Sequence, residues 1–102
     1  MNVHSEYNEI MFVWDDAKAR KNRSKHDGVT FERALEAFFD PFLIWVDASR
    51  NFEQRDGIIG KTSTHQLVFV VHIQQADDSI RIISARKATG QEKRTYYAYQ
   101  HP

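Results

Sequence analysis

Two arginines five positions apart frame an apolar run, Arg81-Ile-Ile-Ser-Ala-Arg86. A guanidinium keeps its charge in a protein and presents a planar fork of donors that matches phosphate oxygens. On a strand, such residues serve either buried ion pairs or a phosphate-facing site. Period-two alternation puts Arg81, Ile83 and Ala85 on one face and Ile80, Ile82 and Ser84 on the other. An unbroken strand would therefore aim the two guanidiniums in opposite directions. For both to serve one site, the chain must bulge or leave the sheet near Ser84-Ala85. The competing use of Arg81 is a structural pair with an acid such as Asp47 or Asp56.

Other candidates are scattered. Arg55 opens a strand, and Lys61 follows Gly60 closely enough to reach the same surface. His72 interrupts a run of Val and Phe, where an imidazole is either an acid–base group near neutral pH or a hydrogen-bonded core residue. His65 sits in a loop, His26 ends a basic stretch, and His4 and His101 lie near the termini. Glu92 is either a helix-capping carboxylate or a base. Tyr96, Tyr97 and Tyr99 either pack a terminal helix on the sheet or stack on bases. No His/Asp/Glu spacing suggests a metal site, no Gly-rich loop a nucleotide cofactor, and no Gly-x-Ser-x-Gly a hydrolase.

Composition narrows the class. The chain has 102 residues, 41 % of them hydrophobic, enough for one domain with a packed core. There is no cysteine, which excludes disulfides, zinc ribbons and thiol nucleophiles. No run approaches the roughly 18 apolar residues of a membrane span, and no signal peptide is visible, so a cytoplasmic protein is expected. The 14 basic and 14 acidic residues cancel, but their distribution is uneven. Lys18, Arg20, Lys21, Arg23 and Lys25 occur without an intervening acid. Arg81, Arg86, Lys87, Lys93 and Arg94 face one acid, Glu92. Two basic patches on a neutral body fit a local polyanion site.

The elements that must position these residues follow from pattern. Ile10 to Trp14 reads as a short strand, and Asp15 as the N-cap of a helix running to about Lys25 and stopping near Gly28. Thr30 caps a second helix whose Phe31, Ala34, Leu35 and Phe38 form a core-facing stripe. Asp40-Pro41 ends it. Strands are expected at Phe42–Val46, Arg55–Gly60, Gln66–Ile73 and Ile80–Ala85, the last two joined by a turn at Ala76–Ser79. Gly57 and Gly60 mark bends or close backbone approach. Thr89-x-x-Glu92 is a capping box opening a terminal helix. The expectation is one α+β domain: an N-terminal short strand and two helices, then a mainly antiparallel four-stranded sheet and a C-terminal helix. Residues 1–9 and 100–102 read as flexible tails.

These pieces, in this order, resemble a known family. Phe12-x-Trp14-Asp15, Lys18, Asn22, Lys25-His26, Gly28-Val29, Phe31, Glu32, Ala34, Phe38 and Asp40-Pro41 follow the pattern of BrnT-type toxins. Arg55, Ile59-Gly60, the Leu67–Val71 strand, Arg81-Ile-Ile-Ser-Ala-Arg86-x-Ala88 and Glu92 continue it. The resemblance covers about residues 11 to 97. It departs at Asp27, an extra residue where the family goes directly from His to Gly.

The resemblance implies a RelE-like ribonuclease fold, with the chain as the toxin of a type II toxin–antitoxin pair. It implies metal-independent RNA cleavage with translation inhibited as a result, and a BrnA-like antitoxin partner whose other end binds DNA. DNA would then be contacted only through the antitoxin. Such cleavage needs a group to take the 2′-OH proton, a group to protonate the leaving oxygen, and positive charge on the transition state. Arg81 and Arg86 suit the last task, with Arg55 assisting. The acid–base role lies open between His72, Glu92 and neither. Lys61, Lys87, Lys93 and Tyr97 are expected to contact RNA. The rival reading is a noncatalytic interaction protein on the same fold, acting as an antitoxin-bound co-repressor.

Overall fold

Residues 1–25 and 28–100 are described in the computed structural model of this chain. Its N-terminal segment is a strand, β1 (Asn2–Tyr7), and not the expected flexible tail. Asn8 and Glu9 both take positive φ, 49° and 69°, the primed-turn geometry whose twist suits a two-residue hairpin. The turn folds β1 back on β2 (Ile10–Asp15) in antiparallel register. Val3 and Tyr7 pack on the core, while His4 and Glu6 face solvent. At the other end Gln100 closes a helix; His101, Pro102, His26 and Asp27 lie outside the described residues.

The two helices after β2 form largely as their caps dictate. In α1 (Asp16–Lys25) the Asp15 carboxylate accepts the Lys18 N–H at 3.0 Å. Gly28 follows at φ +78°, its N–H bonded to the Arg23 carbonyl, a conformation that favours glycine. Thr30 accepts the Arg33 N–H at 3.0 Å and opens α2 (Phe31–Ala34), which tightens into a 3₁₀ turn over Leu35–Phe39. The expected longer α-helix is therefore only one α turn. Phe31, Ala34, Leu35 and Ala37 are still buried, as the stripe required.

The remaining strands are β3 (Ile44–Asp47), β4 (Asp56–Lys61), β5 (Leu67–Gln74) and β6 (Ile80–Lys87), followed by α3 (Gly90–Gln100). They join β1 and β2 in one six-stranded sheet of order β1-β2-β6-β5-β4-β3. The four C-terminal strands pair antiparallel, as expected. The correction is that β2 also enters this sheet, parallel to β6 at Phe12↔Ile80 and Val13↔Arg81, which makes it mixed. One sheet face carries α1, α2 and the 3₁₀ turn over Phe12, Trp14, Ile58, Val68, Val70 and Ile82. On the other, Tyr96 of α3 covers Ile59 and Leu67 at one end. Gly60 permits the first layer to close: a Cβ there would meet the Ala37 carbonyl oxygen at 2.7 Å.

A bulge interrupts β6. Val71 pairs with Ser84 and His72 with Ile82, so Ile83 has no partner on β5. The buried positions of β6 accordingly change phase, from Ile80 and Ile82 to Ala85. Arg81, Ile83, Ser84 and Arg86 are all half-buried, on the face away from that core. The break demanded by the two arginines is present, slightly earlier than Ser84-Ala85. It doubles a residue on the open face and so turns both guanidiniums the same way.

Past the bulge β6 has lost β2 as a neighbour, and a side chain takes its place. Buried Asn22 of α1 accepts the Ala85 N–H at 3.0 Å and donates to the Ala85 carbonyl at 2.7 Å. Its amide also donates to the Val29 carbonyl at 3.2 Å. One carboxamide thus satisfies the strand as a neighbouring peptide would, and pins α1 to the sheet edge. Leaving these backbone groups buried without partners costs about 1–3 kcal/mol each. Asn22→Ala should therefore lower the unfolding free energy by about 2–4 kcal/mol, read as a shifted denaturant midpoint at unchanged slope. A loss below about 0.5 kcal/mol would mean that these bonds do not hold the edge.

Candidate functional site

The open part of the second sheet face forms a cleft of about 670 Å³, whose lining includes Arg50, Arg55, Phe69, Ser84 and Arg86. Its floor is sheet, its far wall is the loop between β3 and β4, and α3 borders the covered end. That loop is self-braced. The Ala48 N–H reaches the Arg55 carbonyl, and the Ser49 hydroxyl accepts the Arg55 N–H at 3.1 Å. At its tip Arg50 and Glu53 exchange backbone bonds across Asn51-Phe52, both at positive φ. This small hairpin places Arg50 and Arg55 on the cleft together.

Arg86 stands at the centre. Its guanidinium lies 4.5 Å from the Phe69 ring centroid and donates to both Glu92 carboxylate oxygens, at 2.7 and 2.9 Å. A third bond goes to the Lys87 carbonyl. Of the five donors of an arginine, two are thus not engaged with described residues. Gly57 makes room for the platform: a Cβ there would lie 2.9 Å from the Phe69 ring. Arg55 pairs with Glu53 at 3.2 Å through one terminal nitrogen, while its Nε is buried with no acceptor among the described residues.

Glu92 has three tasks. It receives Arg86, accepts the Thr89 N–H at 2.8 Å, and its own N–H is capped by the Thr89 hydroxyl at 3.2 Å. The capping box read from sequence is present, and it also clamps β6 to α3. Burial alone would push the Glu92 carboxyl up, but Arg86 and Thr89 outweigh it and hold the group below its usual range. The Glu92 hydrogen bonds likewise raise Arg86. A carboxylate so committed is a poor proton acceptor. The cleft's own carboxylate, Asp47, is also held low, by the Ser49 hydroxyl and N–H.

The other expected site residues divide. Arg81 lies on the same sheet face as Arg86 but outside the cleft, its guanidinium 3.4 Å from the Asn2 side-chain oxygen. It pairs with neither Asp47 nor Asp56. His72 is on the opposite face, 1 % exposed, with Phe38 and Trp45 against its ring. Burial pushes its pKa down from 6.5, and its Nδ1 meets no partner among the described residues. The sheet therefore separates His72 from the cleft. Its shared parity with Val68 and Val70 carries that placement in the sequence.

Lys87, Lys93, Tyr97 and His65 meet in a second depression of about 320 Å³ beyond α3's first turn. Lys61 lies near it, its Nζ 5.2 Å from the Tyr97 ring centre. Tyr96 is buried, its hydroxyl donating to Asp40 at 2.6 Å, and burial together with that carboxylate pushes its phenol up. Tyr99 and His4 are exposed. Sequence reading passed over Arg50 and Ser84. The available signal was the five-residue spacing of Arg50 and Arg55 across a turn.

The Arg86–Glu92 pair has a pH signature. Because the folded-state pKa of Glu92 is depressed, its stabilisation is complete above the ordinary value of 4.5 and is lost as pH falls through the lower folded value. Glu92→Gln should cost about 1–2 kcal/mol at pH 7 for this partly exposed pair. Its stability should converge with that of the wild type in acid. A constant difference down to low pH would contradict a charge-based clamp.

A family model described as the ribonuclease toxin BrnT of type II toxin–antitoxin systems matches residues 14–92. No curated protein matches the chain significantly. The matched span runs from the end of β2 through the Glu92 clamp, and so contains the whole cleft. The chain belongs to the BrnT family of ribonuclease toxins of type II toxin–antitoxin systems.

Proposed function

We propose that the cleft is the ribonuclease centre, and that it cleaves RNA without a metal ion by attack of a ribose 2′-oxygen on the adjacent phosphorus. The new bond closes a 2′,3′-cyclic phosphate, and the bond to the 5′-oxygen breaks. The 2′-hydroxyl proton leaves, and the departing oxygen takes one up. Negative charge grows on the phosphoryl oxygens in between. The single observation that carries this reading is the convergence of Arg50, Arg55 and Arg86 on one cleft. Fixed guanidiniums aimed at developing charge are the strongest contribution such a site can make.

Arg86 is held on Phe69 and by Glu92, so its position is set before substrate arrives. Arg55, whose buried Nε has no acceptor among the described residues, is the second phosphate ligand. Arg81 extends the positive face beyond the cleft. Lys61, Lys87, Lys93 and Tyr97 would hold RNA on the α3 side. With His72 behind the sheet and Glu92 committed to Arg86, catalysis rests on charge stabilisation and proton exchange with water. Cleavage in the cytoplasm would inhibit translation, and a BrnA-like antitoxin whose other end binds DNA would neutralise it. A purely interacting co-repressor has no evident use for three cations gathered around a cleft.

Purified protein should cleave RNA in the presence of a chelator and leave cyclic phosphate ends. Arg86→Ala should lower the rate about 100-fold or more, the usual loss for one transition-state donor, and Arg55→Ala should lose less. Antitoxin binding reports that each variant is folded. His72→Gln should keep its rate per folded molecule, and the pH–rate profile should show no imidazole break at or below 6.5. Full activity of folded Arg86→Ala would refute the assignment.

A further inference from the structure

Ile83, the bulged residue, lines two depressions at once. One is the cleft; the other is a groove of about 260 Å³ whose walls include Lys18, Lys21 and Lys25 of α1. The two are thus contiguous across a single side chain. Asn22, also in the groove lining, is what holds α1 at that edge through its bonds to Ala85.

The lysines sit at i, i+3 and i+7, one face of the helix, and span about 10 Å of rise. All three are exposed, and among the described residues no acidic side chain lines the groove. The remaining cations of α1 are arranged differently. Arg20 and Arg23 line a separate depression with Asp16 and Glu32, and Arg20 pairs with Asp16. One face of α1 is therefore balanced by acids, and the other presents positive charge toward the cleft.

We propose that Lys18, Lys21 and Lys25 form a phosphate track for the RNA strand leaving the cleft past Ile83. This rests on the cleft being the RNA site and extends it to a binding surface outside the chemistry. The groove fits a nucleic-acid backbone better than an acidic protein segment. A protein partner is anchored mainly by aromatic and arginine side chains filling pockets, and among the described residues Ile83 is the one apolar side chain lining this groove. Lysines serve a flexible phosphate chain well, because each acts as a point charge with rotatable donors.

The test uses an oligoribonucleotide fully 2′-O-methylated, so that binding is measured without cleavage, over a series of salt concentrations. Each phosphate contact on a single strand contributes about 0.7 to the slope of log K against log salt. The triple variant Lys18→Gln/Lys21→Gln/Lys25→Gln should flatten that slope by about 2 and weaken binding at least tenfold at low salt. Arg20→Gln/Arg23→Gln, on the opposite face of α1, should leave the slope near that of the wild type. An unchanged slope in the triple variant, with Arg86→Ala still weakening binding, would overturn the track and leave the cleft assignment standing. Lost antitoxin affinity with RNA binding intact would give this face to the antitoxin instead. No RNA binding by wild-type protein would remove both readings.

Discussion

The paired hydrogen bonds between Asn22 and Ala85 sit where the sheet would otherwise come apart. β2 accompanies β6 for only two residue pairs before the chain turns into α1. The edge of β6 beyond that point needs partners for its peptide groups, and a buried carboxamide supplies both a donor and an acceptor. This lets β6 carry an extra residue at Ile83 without exposing unpaired backbone to the core. The extra residue resets the phase of the strand, and Arg86 faces the cleft because of it. The bulge and the asparagine are one arrangement, in which α1 replaces a strand.

Charge in the cleft is similarly over-determined. Arg86 is fixed by an aromatic ring below and a bidentate carboxylate beside it. That carboxylate is fixed in turn by the first turn of α3. A guanidinium tethered this way loses little freedom when a phosphate arrives. The same clamp removes Glu92 from proton transfer, since its carboxylate form is stabilised by the residue it positions. Positioning and acid–base chemistry compete for one side chain here, and the geometry favours positioning.

Local signals were legible in the sequence because their determinants are local. The Thr30 cap, the Thr89–Glu92 box and the stop at Gly28 each depend on residues within one or two turns, and each appears in the structure. The conflict between Arg81 and Arg86 was also legible, since two positions of opposite parity can share a face only across a bulge. Less local features were not. The Asn8-Glu9 turn lacks the glycine that usually announces a tight hairpin, so β1 read as a tail. The 3₁₀ turn at Leu35–Phe39 has the same apolar spacing as an α-helix over so short a span. Arg50 enters the site only through the fold of its loop, and the Arg86–Glu92 pair only through the angle between β6 and α3.

The most direct test of the account is to map where RNA lies on the protein, by amide chemical-shift changes on titration with an uncleavable oligoribonucleotide. Shifts concentrated at Arg50, Arg55, Ser84 and Arg86, with the His72 and Trp45 side silent, are the predicted result. Shifts concentrated around His72 and Trp45, with the arginine cleft unmoved, would contradict it.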